Sequence, residues 1–221
     1  MRHDKFTDRT EAGRLLARQV KELHLAHPVV LALPRGGVPV AAEIARGLHA
    51  PLDLLMVRKI GAPGQPELAI GAVADGGAPH VVIDEDMLHW SGADEAYVEC
   101  QAAEELKEIE RRRGVYLRGR ERVPLLGRPV VLVDDGVATG ATVRAALQAL
   151  RQAGAARLVL AVPVAPASVV AALLGEVNDL VCLWRPESFQ AVGLHYRDFH
   201  QVEDREVIAL LDEAQRLHMH S

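Results

Sequence analysis

The sequence predicts an α/β protein built on a doubly wound, mainly parallel sheet flanked by helices. Short apolar runs of strand length alternate with stretches of helical period along the chain. Two of those runs end in glycine-containing turns that open directly into a helix. The runs are also nearly continuous in Val, Leu and Ala, as strands covered on both faces are, rather than alternating apolar with polar.

Residues 8–25 read as a helix, because Ala12, Leu15, Leu16, Val20 and Leu23 recur at helical spacing and Asp8 followed by Glu11 has the form of a capping box. Residues 29–33 form a short buried strand ending at Pro34-Arg35-Gly36-Gly37, after which Val38, Ala41, Ala42, Ala45 and Leu48 mark one helix face. Residues 52–57 are the next buried strand, expected to run parallel to the first, with Arg58 and Lys59 at its C-terminal end beside Arg35. The Gly- and Pro-rich residues 61–77 read as a hairpin plus a mobile loop, and residues 81–83 as a further strand.

Residues 93–113 crowd Glu, Lys and Arg at three- and four-residue separations, the pattern of an exposed helix, with Arg111, Arg112 and Arg113 on its solvated face. A second strand-turn-helix unit follows: strand 130–133, turn 136–140, then a stripe of Val143, Ala146, Leu147 and Leu150 ended by Gly154. Strands at 158–164 and 180–183 enclose a helix at 167–174, and Val207, Leu210, Leu211, Ala214 and Leu217 mark a last helix. The whole reads as a single domain over residues 1–221, with a flap or subdomain inserted at about 61–124.

Composition narrows the function. A net charge of −5 and an isoelectric point near 6.1 provide no global positive field, so no nucleic-acid partner is expected and any phosphate binding must be local. Cys100 and Cys182 fit neither a disulfide framework nor a metal-site spacing, and the scattered histidines, His218 and His220 included, predict no zinc. No run reaches the roughly 18 apolar residues of a membrane span, and the N-terminus has no apolar export segment. A cytoplasmic protein without a membrane partner is expected.

The chemistry concentrates in one stretch, VVLVDDGVATGAT, residues 130–142. A buried strand delivers Asp134 and Asp135 to its C-terminal end, where open α/β sheets bind ligands. Backbone N–H groups from Ala138 to Thr142, with the Thr139 and Thr142 hydroxyls, can surround a phosphate at the start of the next helix. The two carboxylates cannot bind phosphate, but they can accept hydrogen bonds from a ribose diol held at a fixed distance from it. An acidic pair after a strand is, by itself, more often a turn or cap; the surrounding small-residue loop is what makes it a ribose-phosphate cradle. The loop lacks both the Gly-Lys-Ser/Thr ending of a P-loop and the spacing of a dinucleotide-binding turn.

This stretch resembles the 5-phosphoribosyl 1-pyrophosphate signature of type I phosphoribosyltransferases over its whole length. Pro34-Arg35-Gly36-Gly37 is similar to the family's pyrophosphate loop, and Arg58-Lys59 to the Arg-Lys pair of adenine phosphoribosyltransferases. The resemblance implies that Asp134, Asp135, Gly136, Val137, Ala138, Thr139, Gly140, Ala141 and Thr142 bind the ribose 5-phosphate, and that Arg35, Gly36 and Gly37 meet the pyrophosphate. Arg58 or Lys59 then neutralises charge alongside Mg²⁺, which Asp134 and Asp135 meet mainly through water or substrate. It also implies transfer of the phosphoribosyl group to a small nitrogenous, purine-like acceptor with inversion at C1′, and a homodimer.

Ala138 departs from the 6-oxopurine enzymes, which carry an aspartate there, and agrees with adenine phosphoribosyltransferases. Residues 186–199 are nevertheless similar to the purine-binding tail of the 6-oxopurine group, with His195 where that group has a metal-side aspartate, and with Phe189 or Tyr196 to stack on a base. In the loop at 61–77, Glu67 is expected to orient a partner. Because the same fold also serves regulators, a non-catalytic sensor of 5-phosphoribosyl 1-pyrophosphate or a nucleotide is the alternative, and a hydrolase that passes the ribosyl group to water is a third reading.

Overall fold

The computed structural model describes residues 5–75 and 80–219. Gly77, at the end of the expected loop, and His220 lie outside the described residues. In chain order the elements are α1 (Arg9–Lys21), β1 (Val29–Ala32), α2 (Gly37–Leu48), β2 (Leu52–Leu54), β3 (Val57–Ala62), β4 (Gln65–Ala74), β5 (His80–Ile83), α3 (Glu85–Ser91), α4 (Glu95–Leu117), β6 (Pro129–Val133), α5 (Ala141–Gln152), β7 (Arg157–Val164), α6 (Ala167–Leu173), β8 (Asp179–Trp184) and α7 (Asp204–Met219).

The core is a five-stranded parallel sheet in the order β2-β1-β6-β7-β8. From β1 the chain steps outward to β2, then returns to the other side of β1 and moves outward again through β6, β7 and β8. The direction of winding therefore reverses between β1 and β6. Strand alternation divides the apolar side chains between two faces. Val131, Val133, Val159 and Ala161 pack with α1, α2 and α7 on one face, while Val130, Leu132, Leu158 and Leu160 pack with α5 and α6 on the other. Burial on both faces explains why these strands read as continuous apolar runs.

At α1 the expected cap is present with its return bond shifted by one residue. The Asp8 carboxylate accepts the Glu11 N–H at 2.8 Å, and the Glu11 carboxylate accepts the N–H of Thr7.

The structure corrects the reading of residues 52–57 as one strand. β2 stops at Leu54, and from Val57 the chain enters a separate antiparallel sheet, β3-β4-β5. The corner is held by Asp75, whose carboxylate accepts the Met56 N–H at 2.8 Å and whose own N–H donates to the Met56 carbonyl at 3.1 Å. Arg58 and Lys59 consequently lie inside β3, not at the end of a parallel strand. Of the hairpin plus mobile loop expected at 61–77, the hairpin is present as β3-β4, and the described part is mostly β4 rather than loop, ten residues paired with β3 and, over Gly71–Ala74, with β5. It is ordered because Ile60, Ala62 and Ile70 pack under Val98 and Ala102 of α4.

A second correction concerns Arg113, expected on a solvated face with Arg111 and Arg112. Its side chain is buried, with Nη1 donating to Asp75 Oδ2 at 2.9 Å and to the Leu54 carbonyl at 3.1 Å, and Nη2 lying 3.4 Å from Asp53 Oδ1. One guanidinium thus ties α4 to the end of β2 and to the exit of β4, and neutralises charge on two buried carboxylates. Truncating it leaves both without that partner, so Arg113→Met is expected to lower the unfolding free energy by about 3–5 kcal/mol. Urea unfolding of the variant against the parent chain checks this, and a loss below about 1 kcal/mol would show the ion triad to be peripheral.

Candidate functional site

The winding reverses between β1 and β6, and loops 33–37 and 134–140 follow the C-terminal ends of those two strands, the position at which open α/β sheets bind ligands. The Leu33 N–H donates to the Val133 carbonyl at 2.9 Å, extending the parallel ladder one step past both strands. The peptide between Pro34 and Arg35 is cis. Gly36 then lies so close to the acidic pair that a Cβ there would sit 2.1 Å from Asp135 Oδ2, and one on Gly37 would sit 2.8 Å from the Val133 carbonyl. Glycine is needed because carboxylate and backbone occupy the side-chain space. The Gly37 N–H is already engaged by the Leu33 carbonyl at 3.1 Å, so the amides of Arg35 and Gly36 are the ones left for an anion.

Asp134 and Asp135 differ in environment. Asp134 Oδ1 accepts the Asp135 N–H at 2.8 Å. Asp135 Oδ2 accepts from Arg9 Nε at 2.8 Å, and the Tyr196 hydroxyl donates to the Asp135 carbonyl at 2.5 Å. Burial pushes the Asp134 carboxyl well above the usual carboxylate range, and the neighbouring Asp135 charge adds to the push. Burial raises Asp135 too, but the Arg9 guanidinium opposes it through charge and hydrogen bond. Asp134 is therefore the member that takes a proton more readily.

The following loop is open to ligand. Val137 is buried and its N–H donates to the Val164 carbonyl at 2.9 Å, while Ala138, Thr139 and Ala141 are exposed and Thr142 is half-buried. Gly140 at φ +84° turns the chain into α5, whose first N–H groups have no intrahelical acceptors and point toward the loop. Small side chains keep that concavity clear for a tetrahedral anion.

The other expected residues are dispersed around this centre. Arg58 and Lys59 project to opposite sides of β3: Arg58 Nε bonds Glu105 Oε2 of α4 at 2.6 Å, whereas Lys59 lines a cavity of about 380 Å³ with Thr142 and Arg144 of α5. Lys59 is thus brought toward the anion loop and Arg58 is not. Arg35 turns to Asp204 of α7, Nη1 to Oδ1 3.4 Å, beside Arg111, Arg112 and Tyr116. Glu67 is exposed on β4.

Residues 186–203 form a hood over the acidic pair, with Val192 against Gly136. Within the hood, Tyr196 is buried between Phe6 and Phe199. The half-buried Phe189 ring stacks on His195 at 5.3 Å, and Trp184 meets His195 edge-on at 4.5 Å. His195 is buried, its ring nitrogens have no hydrogen-bond partner among the described residues, and burial followed by the Lys5 charge lowers its pKa, which favours the neutral imidazole.

A hard divalent cation prefers oxygen ligands, and a neutral imidazole among aromatic rings does not replace a carboxylate for it. Among the described residues no three His, Cys, Asp or Glu side chains gather as a metal cage. The donor set fits a cation that arrives with its own phosphate oxygens and meets Asp134 or Asp135 directly or through water.

Arg9 is the site residue that sequence reasoning missed. A cation in the first turn of a helix opposes the macrodipole, and that mismatch, visible in the sequence, is the signal that it answers a carboxylate elsewhere.

Comparison with known proteins adds independent information. Residues 4–173 match the family model described as "Phosphoribosyl transferase domain". In Mycobacterium tuberculosis, the protein named "Putative phosphoribosyl transferase" in strains H37Rv and CDC 1551 is 49% identical over 211 residues, covering 96% of this chain and 47% of the relative. The chain therefore spans about half the length of these curated relatives. The crystal structure of TT1426 from Thermus thermophilus superposes with a TM-score of 0.83 at 47% identity, over 95% of this chain and 98% of that one.

The half-buried, desolvated acidic pair has a stability consequence. A carboxyl whose folded pKa is raised above its unfolded value contributes stability below the unfolded value, about 4, and loses it as pH rises through the folded value. Asp134→Asn should therefore melt higher than the parent chain at pH 8 and lose that advantage near pH 4. Each 1 kcal/mol corresponds to about 2–4 °C at this chain length. Melting curves across that range test this, and a pH-independent difference would contradict the buried-charge account.

Proposed function

The chain belongs to the phosphoribosyl transferase domain family, and on that premise we propose that it transfers the phosphoribosyl group of 5-phosphoribosyl 1-pyrophosphate, presented as its Mg²⁺ complex, to a planar, purine-like nitrogen base. The observation that carries this reading is the juxtaposition, at one winding reversal, of an open anion loop, two carboxylates and a glycine pair pressed against them.

Each group has a role set by its chemistry. The amides of residues 138–142 and the Thr139 and Thr142 hydroxyls hold the 5-phosphate, and Lys59 adds positive charge on the α5 side. Asp134 and Asp135 accept hydrogen bonds from the ribose hydroxyls, which fixes the sugar relative to the loop. The Arg35 and Gly36 amides face the pyrophosphate, and Mg²⁺ carried in with the substrate would supply neutralising charge to it. The acceptor nitrogen donates its lone pair to C1′ as the C1′–O bond breaks with both electrons leaving on pyrophosphate; the acceptor's N–H proton passes to pyrophosphate or water. Rate enhancement comes from positioning and from charge stabilisation of the oxocarbenium-like state. Trp184 at the end of β8 forms a ring cluster with Phe189 and His195 of the hood, the segment that reaches the acidic pair through Val192 and Tyr196, which favours a flat acceptor.

Calorimetric titration with Mg²⁺–5-phosphoribosyl 1-pyrophosphate, followed by pyrophosphate release across a panel of nitrogen bases, tests the assignment. Metal-dependent binding with release on one base is the expected result. Binding without release under any base would favour the sensor, and no binding would overturn the reading. The folded double variant Asp134→Asn/Asp135→Asn should bind at least about 100-fold more weakly, from two charge-assisted hydrogen bonds at about 1.5 kcal/mol or more each.

A further inference from the structure

We infer that Arg9, from the first turn of α1, is a positioning residue of this site: it orients the Asp135 carboxylate and couples it to the hood. Its consequence for ligand binding rests on the phosphoribosyl-transfer reading; the contacts that define it do not.

Arg9 and Asp135 are 126 positions apart, yet Arg9 Nε lies 2.8 Å from Asp135 Oδ2, with the two side chains only 7% and 14% exposed. The remaining faces of the guanidinium are occupied as well. Nη1 donates to the His200 carbonyl at 2.8 Å, and the guanidinium carbon stands 3.8 Å from the centre of the Phe199 ring. A planar cation held at an edge, a second edge and a face has little freedom to rotate. Its anchored partner oxygen, Asp135 Oδ2, is the same atom that crowds Gly36. Arg9 thus pins the carboxylate between loop 34–37 and the hood, and turns Oδ1 toward the role of acceptor for a ribose hydroxyl.

The alternative, that Arg9 merely fills space under the hood, predicts different electrostatics. Asp135 is faced by Arg9 from α1, by Asp134 from its own loop, and by the Tyr196 hydroxyl, which bonds its carbonyl from the hood. On its far side Arg9 feels Asp198, which bonds His200, and His200 in turn reaches Glu206. Of these neighbours only Arg9 opposes the effect of burial on Asp135 by charge, and it is also the donor that fixes the orientation of Oδ2. Without that donor the carboxylate is free to rotate, whereas the loss of mere packing would leave its orientation unchanged.

The test compares Arg9→Met, Arg9→Lys, Asp135→Asn and Arg9→Met/Asp135→Asn with the parent chain at one near-neutral pH, by melting temperature and by affinity for Mg²⁺–5-phosphoribosyl 1-pyrophosphate. Folded Arg9→Met should bind about 10-fold more weakly, the size of effect expected for loss of one charge-assisted hydrogen bond, and Arg9→Lys should recover part of that affinity. The double variant should melt close to the worse of the two single variants, because both remove one and the same contact. Unchanged affinity in folded Arg9→Met, or melting losses that simply add in the double variant, would overturn the proposal. If the parent chain fails to bind the ligand, the transferase reading falls, while the double-variant comparison still decides whether Arg9 and Asp135 act as a pair.

Discussion

The parallel pairing of β1 with β6, from Val29 opposite Val130 to Ala32 opposite Val133, is where the two halves of the winding meet. Because the sheet is buried on both faces, slipping this register by one residue would exchange the apolar sets that meet α1 and α2 with those that meet α5 and α6. The same register sets how far loops 33–37 and 134–140 extend beyond the sheet. Gly36 and Asp135, 99 positions apart in sequence, come within contact distance because the ladder continues through Leu33 and Val133 before the chains diverge.

Concentrating carboxylates at that point works against stability. Asp134 and Asp135 are adjacent, half-buried and mutually repelling, and the apolar strand that delivers them cannot solvate them. A glycine pair leaves room for them, Tyr196 fixes the backbone between them and the hood, and Arg9 supplies countercharge to one. Asp134 is left without an ion pair among the described residues, the arrangement expected of a group kept for a ligand.

Two buried arginines bring remote segments to this frame by the same physics. Arg113 binds the inserted helix α4 to β2 and β4 through Asp53 and Asp75, and Arg9 binds α1 and the hood to β6 through Asp135. In each case desolvation makes the charge expensive unless its geometry is satisfied, which couples distant parts of the chain in a specific arrangement. The difference lies in surroundings. Arg113 is enclosed by its carboxylates away from the candidate site, whereas Arg9 borders the loop that would receive a sugar.

The fold class and the centre of the site were legible because their signals are local. Apolar runs at 29–33, 130–133 and 158–164 report strands buried on two faces, and DDGVATGAT carries carboxylates, small loop and helix start in consecutive residues. The break between Leu54 and Val57 was not legible, since Leu55 and Met56 are as buried and apolar as the strand before them and the corner is made by Asp75, which lies well downstream. Nor could spacing tell Arg113 from Arg111 and Arg112, separate Lys59 from Arg58, or pair Arg9 with Asp135. The sequence by itself determined the α/β class, the strand-turn-helix units at 29–48 and 130–152, and the loop chosen as the candidate site, because periodicity and turn composition act over a few residues. The tertiary structure alone decided which charges meet, because burial and ion pairing depend on contacts between residues tens to more than a hundred positions apart.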